Sequence, residues 1–339
     1  MHDNDILILK AHEVVSLLAG REVELIELTR RVYEAHAAGD SSLPQSTFLR
    51  FPNQPRQRII ALPAYLGNDF EVAGIKWISS FPSNLNKGVD RASATIILNS
   101  AQTGRPQAII EGSIINSKRT AASAALAARS LQQKCQASRV GVIGCGPINF
   151  EVVRFLLASS PEINELLLFD PDTARADHFK EACRELSADI SVWIVKEANA
   201  ALKNATLISL ATTALQPHIN DLTACAPNSV LLHISLRDLT PEAILSSDNV
   251  VDDIDHVCRA QTSVHLAEQL TGNRDFIRCT LADITSGRAA PRSDHNRIVV
   301  FSPFGLGVLD IAVGQLVYKL AREQQRGIII QSFLPEPWS

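Results

Sequence analysis

One stretch restricts the possible folds of this chain more than any other. Ser138 to Asp170 reads SRVGVIGCGPINFEVVRFLLASSPEINELLLFD. It sets out an apolar strand (Val140 to Ile143), a turn on Gly144 and Gly146, an amphipathic helix, and a second apolar strand that ends in an acid, Asp170. Glycines let a backbone approach a pyrophosphate, whose charge is favoured at the N-terminus of the next helix, while a carboxylate after the second strand accepts hydrogen bonds from a ribose diol. That order predicts a dinucleotide site at Gly144, Gly146, Pro147, Ile148, Asn149 and Asp170. An α/β crossover that merely turns tightly on glycines is the alternative, and the third glycine position of the motif is held by Asn149. Asp170 follows Gly144 by 26 residues, close to the usual spacing, and a carboxylate there repels a 2′-phosphate. NAD is therefore the expected cofactor, with Arg175 in PDTARADHF keeping NADP open.

The chain on either side of this stretch has two textures. After Asp170, strands at 190–195, 207–210, 230–234, near Val250 and at 298–301 alternate with helical patterns, beginning with 173–186. Strands separated by helices predict a parallel, doubly wound sheet. Before Ser138 the pattern is α+β. A strand at 6–9 precedes two helices broken near Gly20, and strands are expected at 47–51, 58–62, 72–79, 94–99 and 107–111. Pro52 to Gln57 reads as a turn-rich link. An alanine-rich helix over 116–133 then leads into the glycine turn. A last helix over 309–325 follows the final sheet strand, so the chain is expected to return to its first domain.

Composition closes off several classes. With 339 residues, 46% apolar and 20% charged, the chain can build two cored domains. A net charge of −4 gives no reason to expect nucleic acid or an anionic membrane as partner. The six cysteines are scattered without a CxxC pair, which suggests reduced, buried thiols in a cytoplasmic protein and neither a zinc site nor a disulfide framework. The N-terminus carries acids where a signal peptide needs positive charge.

Cations recur where an apolar environment makes them costly. Lys76 lies inside the strand GIKWI, Arg91 opens RASATIIL, and Arg119 sits in KRTAA. Arg50 and Arg58 lie on earlier strands. A buried ammonium needs a partner, and an internal salt bridge or a substrate with several carboxylates would each supply one. Asp238, in HISLRDLTPE, falls just beyond a strand end, the edge at which open α/β sheets bind ligands. It reads equally as a general acid or base and as a cap for a helix starting at Thr240 and Pro241. His233 reads as a buried strand histidine, and DDIDHV (Asp252 to Val257) as a solvated turn with no metal.

With GIKW, TGRP, KRTAA, VGVIGCGPIN, LLLFD and the glycine-containing turn before Asp310 in view, the sequence resembles the ornithine cyclodeaminase and μ-crystallin family along nearly all its length. The resemblance implies a Rossmann-type NAD-binding domain (119–308) and an α+β substrate-binding and dimerisation domain formed from both chain ends (1–118 and 309–339), in a homodimer. It implies that Lys76 and Arg119 bind or polarise a substrate carboxylate and that Asp238 handles protons. Arg91 and Arg58 join the expected substrate set, and Thr120, Thr212 and Ser235 the cofactor set. Cyclodeaminases carry a glycine-rich GGD segment where this chain has SLRDLTPE. WISSFPSN, RASA, HISLRD, FSPFGLGVLD and Asn149 look instead like the branch that forms 2,3-diaminopropionate for siderophores or peptide antibiotics. That branch oxidises N-(2-amino-2-carboxyethyl)-L-glutamate with NAD and hydrolyses the imine, releasing 2-oxoglutarate. An ornithine or lysine cyclodeaminase, a ketimine reductase and a nucleotide-dependent, crystallin-like binding protein are the alternatives.

Overall fold

The structure is a computed structural model that describes residues 4–132, 137–293, 297–336 and 338. Cys135, Met1 to Asp3 and Gln133, the expected end of the alanine-rich helix, lie outside the described residues. The chain divides into two compact units, one of residues 1–119 and 306–339 and the other of residues 120–305.

In the first unit, β1 (Ile6–Leu9) leads into α1 (Ala11–Leu18) and α2 (Glu22–Ala37). Six strands follow: β2 (Ser41–Ser42), β3 (Thr47–Phe51), β4 (Gln54–Leu66), β5 (Val72–Ser80), β6 (Ala92–Ser100) and β7 (Pro106–Glu111). The helix α3 (Ser113–Leu131) starts here, its first amides capped by Glu111, whose carboxylate accepts from Ser113 N at 2.7 Å and Ile114 N at 3.1 Å.

The second unit alternates strand and helix. It runs through β8 (Arg139–Ile143), α4 (Pro147–Ser159), β9 (Glu165–Phe169), α5 (Thr173–Leu186), β10 (Ser191–Ile194), α6 (Ala198–Asn204), β11 (Leu207–Leu210) and β12 (Val230–His233). It continues with α7 (Pro241–Leu245), β13 (Asp248–Val251), α8 (Ile254–Val257), α9 (Ser263–Thr271), β14 (Ile277–Thr280), α10 (Leu281–Thr285) and β15 (Val299–Ser302). The chain closes with α11 (Gly307–Glu323) and β16 (Ile328–Ile330), both of the first unit.

The second unit's strands lie in the order β10-β9-β8-β11-β12-β15-β13-β14, and every neighbouring pair is parallel. The order reverses beside β8, and this is the doubly wound sheet expected from alternating strands and helices. Its central strands are buried along their whole length, as a parallel sheet covered on both faces requires. The first unit is a mixed sheet, β16-β1-β7-β6-β5-β4-β2 with β3 on β4, in which only β1 and β7 pair in parallel. The helix α11 lies against β4, β5 and β6. Gly74 allows this close approach, since a Cβ there would stand 2.4 Å from Ile97 O and 3.3 Å from the side chain of Ile311.

Two local expectations are corrected. The link 52–57 is turn only at Pro52 and Asn53, because β4 pairs with β3 from Gln54 onward and makes one long hairpin. DDIDHV is not a solvated turn. Asp252 is 2% exposed, and its carboxylate accepts from Phe304 N at 2.8 Å and Gly305 N at 2.7 Å, while Asp253 caps α8. Among the described residues no helix is long and apolar enough to cross a membrane. Replacing Asp252 by Ala strands two inward-facing amides at about 1–3 kcal/mol each, so the variant should lose about 2–6 kcal/mol of stability. The urea midpoint measures this, and an unchanged midpoint would return Asp252 to the solvated reading.

Candidate active site

The dinucleotide turn is assembled by short local contacts. Gly144 adopts φ +91°, and a Cβ there would lie 2.5 Å from Ala211 O, so only glycine fits. Gly146 is the N-cap of α4, with Pro147 at the first helical position. A Cβ on Gly146 would meet nothing within 4 Å, which leaves the backbone open to a phosphate. The amides of Ile148 and Asn149 belong to the first turn of the helix, where no intrahelical acceptor exists and anions are favoured.

The side chain of Asn149 serves the turn itself. It is fully buried, its Nδ2 donates to Ile143 O at 3.0 Å and Gly144 O at 2.7 Å, and its Oδ1 accepts from Ser209 Oγ at 2.7 Å. The amide locks the turn to β11, and only the backbone N–H of Asn149 remains for a cofactor. Asp170 closes the same turn by accepting from Cys145 N at 2.8 Å and Asp172 N at 3.0 Å. A carboxylate has lone pairs beyond these two, so it can still take a ribose hydroxyl. Arg175 has its nearest acid in Asp172, at 3.9 Å. Cys145 is no nucleophile, because burial, with Asp170 and Cys183 adding to it, pushes its thiol up to about 12.

Further along the same sheet edge, Asp238 is sealed off completely. The cap of α7 is Thr240, which removes the capping role from Asp238. The Asp238 carboxylate instead accepts from the hydroxyls of Thr212 and Ser235, so both side chains expected in the cofactor set are spent on holding an acid. His233 is fully buried as expected. Its Nε2 lies 3.2 Å from Asp238 N and 3.4 Å from Asp238 Oδ2, while Nδ1 meets Ser302 Oγ at 3.1 Å. Burial pushes Asp238 upward, but His233, by hydrogen bond and charge, and the two hydroxyls hold it down at about 2. Asp238 is an anion throughout the neutral range.

The first unit holds the cations. Lys76, 1% exposed, pairs its Nζ with Asp310 Oδ2 at 2.6 Å and donates to Asn116 Oδ1 at 2.9 Å. Arg119 closes the ring, with Nε to Asp310 Oδ1 at 3.0 Å and a terminal nitrogen to Asn116 Oδ1 at 2.8 Å. Two cations share one carboxylate, leaving net positive charge in a buried place. Burial, and then the charge of Arg119, lower Lys76 from 10.5 to about 8 against the opposing pull of Asp310. Ser80 sits on the same face of β5 as Lys76, about 13 Å further along the strand. Arg58 lies opposite Ser80 in the β4–β5 register, and Arg91 donates to Ser80 Oγ at 2.7 Å. Arg91 is lowered by burial. The structure thus joins Lys76 and Arg119 on one carboxylate, sets Arg58 and Arg91 each at Ser80, and leaves Arg50 exposed. Thr120 follows Arg119 on α3, one turn beyond Asn116.

Asp310 and Asn116 were not singled out for a role in the sequence. For Asp310 a signal exists, since a lone acid in the apolar helix GVLDIAVGQL must find a partner. Asn116 has none, being one polar residue among several at a helix start. Among the described residues no group of three or more His, Cys, Asp or Glu side chains could hold a metal ion.

A glycine-turn helix with its acid on a parallel sheet, together with a mixed-sheet unit that buries cations, defines a two-unit α/β protein of the dinucleotide-binding class. Within that class the chain belongs to the ornithine cyclodeaminase/mu-crystallin family, whose model matches residues 6–325. It is similar to the N-((2S)-2-amino-2-carboxyethyl)-L-glutamate dehydrogenase of Staphylococcus aureus, 28% identical over 305 residues that cover 88% of this chain and 90% of that protein. Two solved structures share the whole fold. An archaeal alanine dehydrogenase dimer with bound NAD has a TM-score of 0.86 at 26% identity, covering 96% of this chain and 99% of that one. The Delta(1)-pyrroline-2-carboxylate reductase of Thermococcus litoralis, in complex with NADH and L-proline, has a TM-score of 0.88 at 24% identity, covering 95% and 99%.

Asp310→Asn strands two buried cations, a loss of about 3–5 kcal/mol by analogy with other broken buried pairs. Adding Lys76→Met removes one stranded charge, so the double variant should unfold at higher denaturant than Asp310→Asn alone. Simple additivity of the two losses would show that the pair is not coupled.

Proposed function

We propose that this chain is an NAD-dependent amino acid dehydrogenase acting on a C–N bond, and that its substrate is N-(2-amino-2-carboxyethyl)-L-glutamate. The products are 2,3-diaminopropionate, a building block for siderophores or peptide antibiotics, and 2-oxoglutarate. The observation that carries the reading is the placing of cations at two points along β5. In this reading Lys76 and Arg119, which meet at Asp310, take one carboxylate, and Arg58 and Arg91, both placed at Ser80, take another. A substrate with three carboxylates uses both. Ornithine, with one carboxylate and a cationic side chain, would leave the second pair opposed by a like charge. The similarity to the Staphylococcus aureus dehydrogenase supports the same substrate.

In this reading Gly144, Gly146, Ile148, Asn149 and Asp170 hold NAD, the last by its ribose. Bound NAD supplies a hydride acceptor. Lys76 and Arg119 grip and orient the carboxylate next to the reacting carbon, and Asn116 and Asp310 hold them in place for it. Asp238 keeps a fixed negative charge near the nitrogen that loses its proton, and serves again when water adds to the imine. The homodimer belongs to the same proposal. Opposite α11, the sheet face of the first unit presents Tyr65, 40% exposed, and Trp77, 43% exposed, as apolar surface for a second copy.

Absorbance at 340 nm with NAD and the conjugate tests the function. Steady NADH formation with ornithine absent is expected, and Asp238→Asn should lower turnover by about 10²–10⁴ while NAD still binds. Proline formation from ornithine without net NADH would replace this reading by cyclodeaminase, and full turnover in Asp238→Asn would remove the acid from the chemistry. A second measurement follows from Lys76. Its ammonium is present at pH 7 and lost as pH rises through about 8, so kcat/KM should fall on that side. Lys76→Arg, which keeps its charge, should flatten that limb. A limb that persists unchanged in Lys76→Arg would assign it to another group.

A further inference from the structure

Asp238 is sealed from solvent, yet one ring beside it is not. The side chain of His218 is 48% exposed, and its Nε2 lies 3.9 Å from Asp238 Oδ1. The main chain keeps it there. Asp238 O accepts from His218 N at 2.9 Å and Ile219 N at 2.8 Å, and Thr240 N returns a bond to Ile219 O at 3.0 Å. Ile219 and Leu239 form a short parallel bridge, so the loop after β11 is tied to Asp238 on both sides of the histidine's attachment.

The carboxylate has little freedom of its own. Thr212 and Ser235 donate to its two oxygens, and the fully buried His233 stands 3.4 Å away on the interior side. Among the described residues, His233 and His218 are the titratable groups against it. An acid held in this way is a weak proton acceptor near neutrality. A half-exposed imidazole whose Nε2 lies 3.9 Å from a carboxylate can take a proton and pass it on.

We propose that His218 is the proton-transferring residue of the reaction, with Asp238 its positioning partner. This rests on the dehydrogenase reading and deepens it. A carboxylate on the Nε2 side favours the tautomer with hydrogen on Nε2, which leaves Nδ1 as the base. The substrate amine gives its proton to Nδ1 while the hydrogen on the adjacent carbon leaves with its electron pair to NAD. The freed electron pair on nitrogen closes the C=N bond. One N–H and one C–H bond break, one π bond forms, and NAD is reduced. In hydrolysis water adds its oxygen to the carbon and a proton to the nitrogen; the imidazolium then gives its proton to the amine as the C–N bond breaks, and the carbon's hydroxyl loses its proton as the C=O bond forms.

Two measurements on the full-length, NAD-loaded protein test this. By proton NMR, His218 should show an imidazole N–H that exchanges slowly with water, assigned by its loss in His218→Gln and absent in Asp238→Ala. If that N–H exchanges like a free imidazole in wild type, the pair does not form and the proposal falls. With the conjugate and NAD, His218→Gln should lose about 10²–10⁴ in kcat with unchanged NAD affinity. His218→Gly should recover rate on adding imidazole. Wild-type kcat in His218→Gln would overturn the proposal. If the wild-type protein leaves the conjugate untouched, the substrate assignment fails, and the NMR result alone decides whether His218 and Asp238 act as a pair.

Discussion

The buried carboxylate of Asp310 is the constraint on which the first unit depends. It draws together Lys76 from β5 and Arg119 from α3, with Asn116 bridging the two cations. These residues come from both ends of the chain, so the C-terminal helix α11 is bound into this unit by charge as well as by packing against the sheet. The balance is incomplete by design of the residues present, since two cations face one anion. Water is kept out, and low dielectric makes the surplus expensive. Part of that cost appears as the depressed Lys76, and an arriving carboxylate would relieve it. A site that stores unfavourable charge in this way favours anionic ligands without needing to move.

The second unit solves a different problem, that of holding a tight turn open to an anion. Gly144 takes the left-handed backbone, Asn149 ties down the turn's carbonyls, and Asp170 takes the amide of Cys145. The acid that would read a ribose is thus also part of the turn's own scaffold. Asp238 is treated likewise: two hydroxyls and a buried imidazole keep it ionised in a setting whose burial pushes it toward the neutral form. In both places the hydrogen bonds that shape the site are spent among protein groups before any ligand arrives, which is what preorganisation means physically.

Much of this was legible in the sequence for simple reasons. Alternating apolar strands and helices, punctuated by glycines, leave few folds open, and local periodicity carries that information along the chain. A lysine within GIKWI and an arginine within KRTAA announce themselves because charge in an apolar run is costly. What periodicity could not show was which polar side chain meets which. Asn149, Thr212 and Ser235 are the types that contact cofactors, yet their side-chain bonds go to the backbone, to Ser209 and to Asp238. Asp252 reads as solvated, one of three nearby acids, but is buried under the amides of Phe304 and Gly305, distant partners that no local pattern reveals.

The sequence by itself therefore determined the parallel sheet, the glycine turn with its acid, and the presence of cations that must be paired. Those properties follow from local spacing and from the cost of burying charge. Tertiary structure alone decided that Asp310 would be the shared counter-ion, that Arg58 and Arg91 would each stand at Ser80, and that His218 would stand at Asp238. Such contacts join residues far apart in the chain, and their energies depend on distances that exist only once the backbone has closed on itself.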